Sequence, residues 1–174
     1  MEKVLFVIIG KIGMLFPYRL WRIVHTKLDF LYTCWVAREF KTFGEKSRFA
    51  RPLYTRGMKK IDIGSGTWIA HHCELSAWES YLGYNYNPHI KIGNNCHIGP
   101  YNHITSCNSI EIGDGLLTGM NVIITDNNHG NQTKDDFSKT PYERPLSSKG
   151  GIRIGNNVWL GDKVAVLGGG IYWK

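Results

Sequence analysis

Residues 89–125 read HIKIGNNCHIGPYNHITSCNSIEIGDGLLTGMNVIIT, and residues 152–166 read IRIGNNVWLGDKVAV. An aliphatic side chain returns every six positions, at Ile92, Ile98, Ile104 and Ile110. After a slip of two residues the beat restarts at Ile112, passes Thr118 and returns at Ile124. After a long interruption it resumes at Ile154, Leu160 and Val166; upstream, Ile63, Ile69 and Leu75 set the first hexads. A period of six is neither the helical period nor the alternation of a strand. It marks a repeat solenoid.

Six residues suffice for one short strand and one corner. Glycine often follows the aliphatic residue (Gly93, Gly99, Gly113, Gly119, Gly155, Gly161), as expected for a corner whose backbone angles a Cβ forbids. The fifth position is often small or branched, as at Thr67, Cys96, Val122 and Val158. Three such edges predict a triangular coil of about eighteen residues. One coil cannot bury its own apolar face, so coils must stack into a parallel β-helix.

The pattern, from Ile61 to Leu167, resembles the hexapeptide-repeat acyltransferases. The resemblance implies an all-β solenoid, a left-handed parallel β-helix; general topology would favour right-handed crossovers.

Charge divides the chain. Residues 1–60 carry thirteen Lys or Arg against four Asp or Glu, and residues 61–174 carry eight against ten. A basic amphipathic helical arm and linker (1–60) is thus expected before a near-neutral β-helix (61–174). Val4 to Phe16 is apolar except Lys11, but as a helix it would reach only about 20 Å, short of a bilayer core. Pro17 interrupts it. Beyond it, Leu20, Val24, Leu28, Leu31 and Trp35 share one helical face, with Arg19, Arg22, Lys27, Arg38 and Lys41 around them. Two readings fit: peripheral membrane contact through residues 1–43, or a helical hairpin packed on the β-helix or a neighbouring subunit. No small-residue cleavage site follows the apolar run, and no nucleic-acid-binding module accompanies the charge. The four cysteines form no CxxC pair, and Cys73 and Cys96, on small inward slots, read as packed thiols in a reducing compartment.

Two stretches break the beat. Residues 78–88 (WESYLGYNYNP) predict an aromatic loop whose tyrosines, Asn85 and Asn87 could meet a sugar. Residues 125–151 form a longer insertion, and a loop this long in a solenoid is usually functional. The tract Ile123-Ile124-Thr125-Asp126-Asn127-Asn128-His129-Gly130, with Pro141, Arg144, Pro145 and IRIGNNVWLGD, is similar to the sugar O-acetyltransferase branch of the family. That branch includes maltose and galactoside acetyltransferases and enzymes of capsule and lipopolysaccharide synthesis.

The resemblance implies that His129 is catalytic. A sugar hydroxyl is a poor nucleophile until its proton leaves, and imidazole titrates near neutrality. Asn102 approximates the family's substrate-side asparagine, and Asp126 is expected beside the substrate or the imidazole. The implied donor is acetyl-CoA, held in a groove between subunits of a homotrimer, with Trp159, Gly161 and Asp162 at the start of that region. The acceptor would be a glycan or lipid-linked glycan, and the place the cytoplasm, at the inner face of the cell membrane. The other six histidines read as surface or packed residues. A zinc carbonic anhydrase on this fold would need three converging histidines; His97 and His103 lie one hexad apart, with no third partner evident and no metal expected.

The end departs from the family, which continues with further hexads after VAVLGG. Read one base out of frame, codons for Gly169-Gly170-Ile171-Tyr172-Trp173-Lys174 permit another hexad. The expectation is a single-base shift that shortened a longer parent. That leaves a second reading open: an inactive, membrane-associated β-helix that only binds partners.

Overall fold

The computed structural model describes residues 2–15, 17–131, 133–169 and 171–172. Phe16, Gly170, Trp173 and Lys174, which the readings of the arm and of the chain end include, lie outside them. Three parallel faces form a prism. Face A stacks Thr42–Phe43, Ile61–Ile63, His89–Ile92, Ser109–Ile112, Ile152–Ile154 and Ile171–Tyr172. Face B stacks Arg48–Phe49, Trp68–Ile69, His97–Ile98, Leu117–Thr118 and Trp159–Leu160. Face C stacks Leu53–Arg56, Cys73–Ala77, His103–Ser106, Ile123–Thr125 and Ala165–Leu167. Taking one strand from each face in chain order gives coils 1 to 5, and Ile171–Tyr172 begins a sixth. This architecture agrees with the left-handed β-helix expected.

The predicted beat fills the interior. Ile63, Ile92, Ile112 and Ile154 line one column, Ile69, Ile98, Thr118 and Leu160 the next, and Leu75, Ile104, Ile124 and Val166 the third. Each such aliphatic, fully buried, contributes roughly 1.5–3 kcal/mol. Thr118 fits its aliphatic slot because its hydroxyl is satisfied there: it accepts from Gly99 N at 2.8 Å and bonds the Asn102 amide.

Two expectations about the coil need correction. The register partners Ile92 and Ile112 lie twenty residues apart, not eighteen. Face A strands turn two aliphatics inward, as Ile110 and Ile112 do, and this produces the two-residue slip. Of the glycines that follow the aliphatics, Gly93, Gly99, Gly113 and Gly119 are also needed for a different reason. A Cβ on Gly93 would fall 2.5 Å from the Gly113 carbonyl, so it is the next coil's backbone that excludes a side chain. The left-handed residue comes two places later, at Gly66, Asn95, Gly115 and Asn157. Polar side chains tie these corners together: Asn94 Oδ1 accepts from Ser65 N, Asp114 Oδ1 from Asn94 N and Asn156 Oδ1 from Asp114 N, at 2.7–2.8 Å.

The stack also begins earlier than Ile61. Residues 48–60, expected as a linker, supply strands of coil 1, with Phe43 beside Ile63 and Phe49 beside Ile69. The rings of Phe40, Phe43 and Phe49 lie 5.0–6.0 Å apart and fill this end of the prism.

Helix α1 (Glu2–Leu15) is exposed at every side chain described, and α2 (Tyr18–Val36) starts at Pro17. α2 docks on coil 1 through Asp29, Tyr32, Thr33 and Val36, which recur at helical spacing. Thr33 Oγ1 accepts from Phe49 N at 3.0 Å, and Arg51 Nε donates to Asp29 Oδ1 at 2.8 Å. The stripe read from sequence is not the docked one: Leu31 is 61% and Trp35 77% exposed. Among the described residues, no helix is long and apolar enough to cross a membrane. All four cysteines are free, and three are buried.

Candidate active site

Both interruptions leave the prism at the same corner, between faces C and A. The first follows Ala77 in coil 2 and returns at His89; the second follows Thr125 in coil 4 and returns at Ile152. Ser76, Thr105 and Thr125 are register partners, so the two exits stand one above the other, with coil 3 between. Coil 3 turns the same corner tightly through Cys107 and Asn108. The two excursions therefore meet over it. Tyr81 Oη, in the first, donates to the Tyr142 carbonyl of the second at 2.8 Å.

His129 lies in the second excursion on a two-residue strand, Asn128–His129, paired antiparallel with Leu146–Ser147. The next residue, Gly130, has φ +82 and needs to be glycine. Its N–H donates to the Pro145 carbonyl at 2.9 Å, and its carbonyl accepts from Ser147 Oγ at 2.5 Å. Beyond it, Asp136 Oδ2 accepts from Asn131 N, Thr133 N and Thr133 Oγ1 at 2.7–3.0 Å, capping the short helix α3 (Lys134–Phe137). Those bonds, led by the backbone N–H of Thr133, hold its pKa below the ordinary value. The loop carrying His129 is thus pinned on both sides.

The imidazole is exposed and opens into a cleft of about 320 Å³. The Tyr81 ring meets it edge-on at 5.4 Å and Tyr142 at 6.2 Å. Trp78 continues this aromatic wall, its Nε1 donating to Thr105 Oγ1 at 3.1 Å and one face covered by the Arg56 guanidinium at 4.1 Å. Asn127 donates from Nδ2 to the same hydroxyl at 3.2 Å. The cleft is also lined by Glu74 and His103, whose Oε1 and Nε2 are 3.7 Å apart. Aromatic rings, polar side chains and the His129 imidazole, a proton acceptor, thus share one cleft.

The other expected residues lie elsewhere. Asp126 is fully buried; its carboxylate accepts from Ser106 Oγ, Cys107 N and Asn108 N at 2.6–3.1 Å and holds the coil 3 corner. Burial raises its pKa against those donors. It supports the floor beneath the loops, and its carboxylate bonds go to this corner rather than to the imidazole. Asn102 is buried too, its Oδ1 accepting from Val122 N at 2.7 Å, so it holds successive coils rather than facing the cleft. Trp159 points outward from face B of coil 5, 73% exposed, and Gly161 and Asp162 form the next corner, with Asp162 Oδ1 accepting from Met120 N at 2.8 Å. None of the three lines the cleft. Sequence reasoning passed over Glu74, His103 and Tyr142. The signal for the first two was register: they fill the same outward slot in successive coils. Among the described residues, no three His, Cys, Asp or Glu side chains converge as a metal requires.

Three parallel faces with six-residue edges and a histidine-bearing excursion fit a hexapeptide-repeat acyltransferase. The chain is 36% identical over 135 residues to a protein of Escherichia coli strain K12 named "Putative lipopolysaccharide biosynthesis O-acetyl transferase WbbJ". The match takes in 75% of this chain and 65% of that relative, so the chain spans about two thirds of its length. No protein-family model matches the chain, and neither does any solved structure.

Proposed function

We propose that the protein is an O-acetyltransferase that moves an acetyl group from acetyl-CoA to a sugar hydroxyl of a surface polysaccharide or its lipid-linked precursor. The observation that carries this is the exposed imidazole of His129 in a cleft lined by aromatic and polar side chains. Aromatic rings suit the C–H face of a pyranose, and polar groups suit its hydroxyls. His129 removes the hydroxyl proton as that oxygen attacks the thioester carbonyl. The tetrahedral intermediate then expels the thiolate of coenzyme A, which takes the proton back from the imidazolium. Acetyl ester and free thiol are the products, and the base is regenerated.

The donor is assigned to a groove between subunits of a homotrimer, with Trp159, Gly161 and Asp162 at its edge. Exposed apolar residues around faces B and C of coils 4 and 5 (Leu117, Met120, Ile123, Trp159, Leu167) support an interface there. The basic arm with its exposed apolar stripe supports a location at the inner face of the cell membrane.

The test is thiol release from acetyl-CoA by the purified protein, with and without pyranoside acceptors. His129→Ala is expected to lower turnover by about 10²–10⁴-fold. Equal rates would remove His129 from the mechanism, and no turnover in the parent protein would favour a β-helix that only binds.

A further inference from the structure

We propose that Glu74 and His103 are the acceptor-recognition pair, the residues that orient the sugar and decide which hydroxyl reaches His129. The inference rests on the transferase reading above and adds the residues that read the substrate. Glu74 and His103 are direct register partners on face C, in coils 2 and 3. Both side chains line the same cleft as Tyr81, Tyr142 and His129. The fold does not require either one. The next rung of the same column is Ile123, and the one after is Ala165, so the slot accepts apolar residues. The two are about half exposed with Oε1 and Nε2 3.7 Å apart, and a surface pair of that kind adds little stability.

Glu74 is nevertheless held in place. Ser76 Oγ donates to its Oε1 at 2.7 Å, and Ser76 itself is buried beneath the first excursion. The serine restricts the carboxylate to one position above the cleft floor. A carboxylate offers acceptor sites for two adjacent hydroxyls, and the imidazole beside it adds a donor or an acceptor. A ring lying against Tyr81 and Tyr142 presents its hydroxyl edge to this pair and one further hydroxyl to His129. The ligand class is a polyhydroxylated ring with vicinal hydroxyls, not an acyl chain or a flat aromatic. Neither residue exchanges a proton with the thioester; they position.

The experiment compares the full-length parent, Glu74→Gln, Glu74→Asp and His103→Ala. The probes are methyl β-D-galactoside, methyl α-D-glucoside and N-acetylglucosamine, read by transfer kinetics and by saturation-transfer NMR. Glu74→Gln is expected to raise the acceptor KM by roughly tenfold or more and to weaken the NMR contact, because polar groups made for hydroxyls discriminate strongly. The KM for acetyl-CoA and the thermal midpoint should stay at parental values. Glu74→Asp should recover part of the acceptor affinity, and His103→Ala should change the ranking of the three sugars. An active parent with an unchanged acceptor KM in Glu74→Gln overturns this inference alone. A parent that neither binds nor acetylates any of the sugars overturns it together with the transferase reading.

Discussion

His129 and Asp126 are three residues apart in sequence and do unlike work. The first is lifted out on a strand whose partner lies seventeen residues further on; the second is buried as the fixed point of a turn one coil below. The resemblance could locate the histidine because its place in the loop is characteristic. It could not show that the adjacent carboxylate faces inward, since that depends on which corner the next-lower coil needs capped. A second acid shows how charge is used on face A. Asp62 accepts from Thr42 Oγ1 at 2.7 Å, from Lys41 Nζ at 3.0 Å and faces His89 Nε2 at 2.6 Å. Burial works to raise its pKa, but these bonds and the Lys41 charge prevail and hold it at about 2 against an ordinary 3.8. The folded state therefore binds this proton more weakly than the unfolded chain. The contribution is full above the ordinary value and fades as pH falls towards about 2. Denaturation curves between those limits should show the parent losing stability that Asp62→Asn never had; parallel curves would exclude the group.

The arm shows what helical periodicity can and cannot reveal. The spacing of Leu20, Val24, Leu28, Leu31 and Trp35 correctly indicated a helix, but the side that docks is the one holding Asp29 and Thr33. A polar side can dock because coil 1 presents backbone groups and Arg51, which need partners once covered. The apolar stripe is left facing out, amid a surplus of positive charge. An anionic vesicle supplies both an apolar boundary and a countercharge. Leu31→Ser with Trp35→Ser should cut sedimentation with phosphatidylglycerol vesicles by about tenfold, and added salt should weaken the parent's binding. Unchanged sedimentation would show that the stripe meets protein instead. Coil 1 escaped the aliphatic search because phenylalanine occupies its slots. Phe43, Phe49 and Thr55 keep the six-residue spacing, so a beat counted by position would have found it.

At the scale of the whole molecule, the three faces differ in what they offer. Face A carries Asp62, Lys91, Glu111 and Arg153 in one outward column, with Arg153 Nη2 and Glu111 Oε2 3.1 Å apart, and suits water. Face B in coils 4 and 5 is apolar, with Leu117 directly beside Trp159. Face C is divided between the cleft and the exposed Ile123 and Leu167. Such a distribution predicts copies meeting along the B–C edge. Light scattering should give about three times the 19.8 kDa of one chain, and Trp159→Glu should shift the particle towards that single mass. A parent that stays at one chain mass would remove the intersubunit donor groove. The hexads made this fold legible, because periodicity needs no knowledge of loops. The cleft was less so: it exists only because two excursions leave one corner two coils apart.

That spacing sets a rule for how such a prism can grow. Strands in neighbouring rungs are about 4.8 Å apart. A rung added beyond coil 5 lengthens the rod and leaves Tyr81 and Tyr142 where they are. A rung added between the two exits would carry them apart by that step, break the bond that closes the roof and leave His129 without its aromatic neighbour. Length is therefore free to vary at one end of the rod and fixed across its middle.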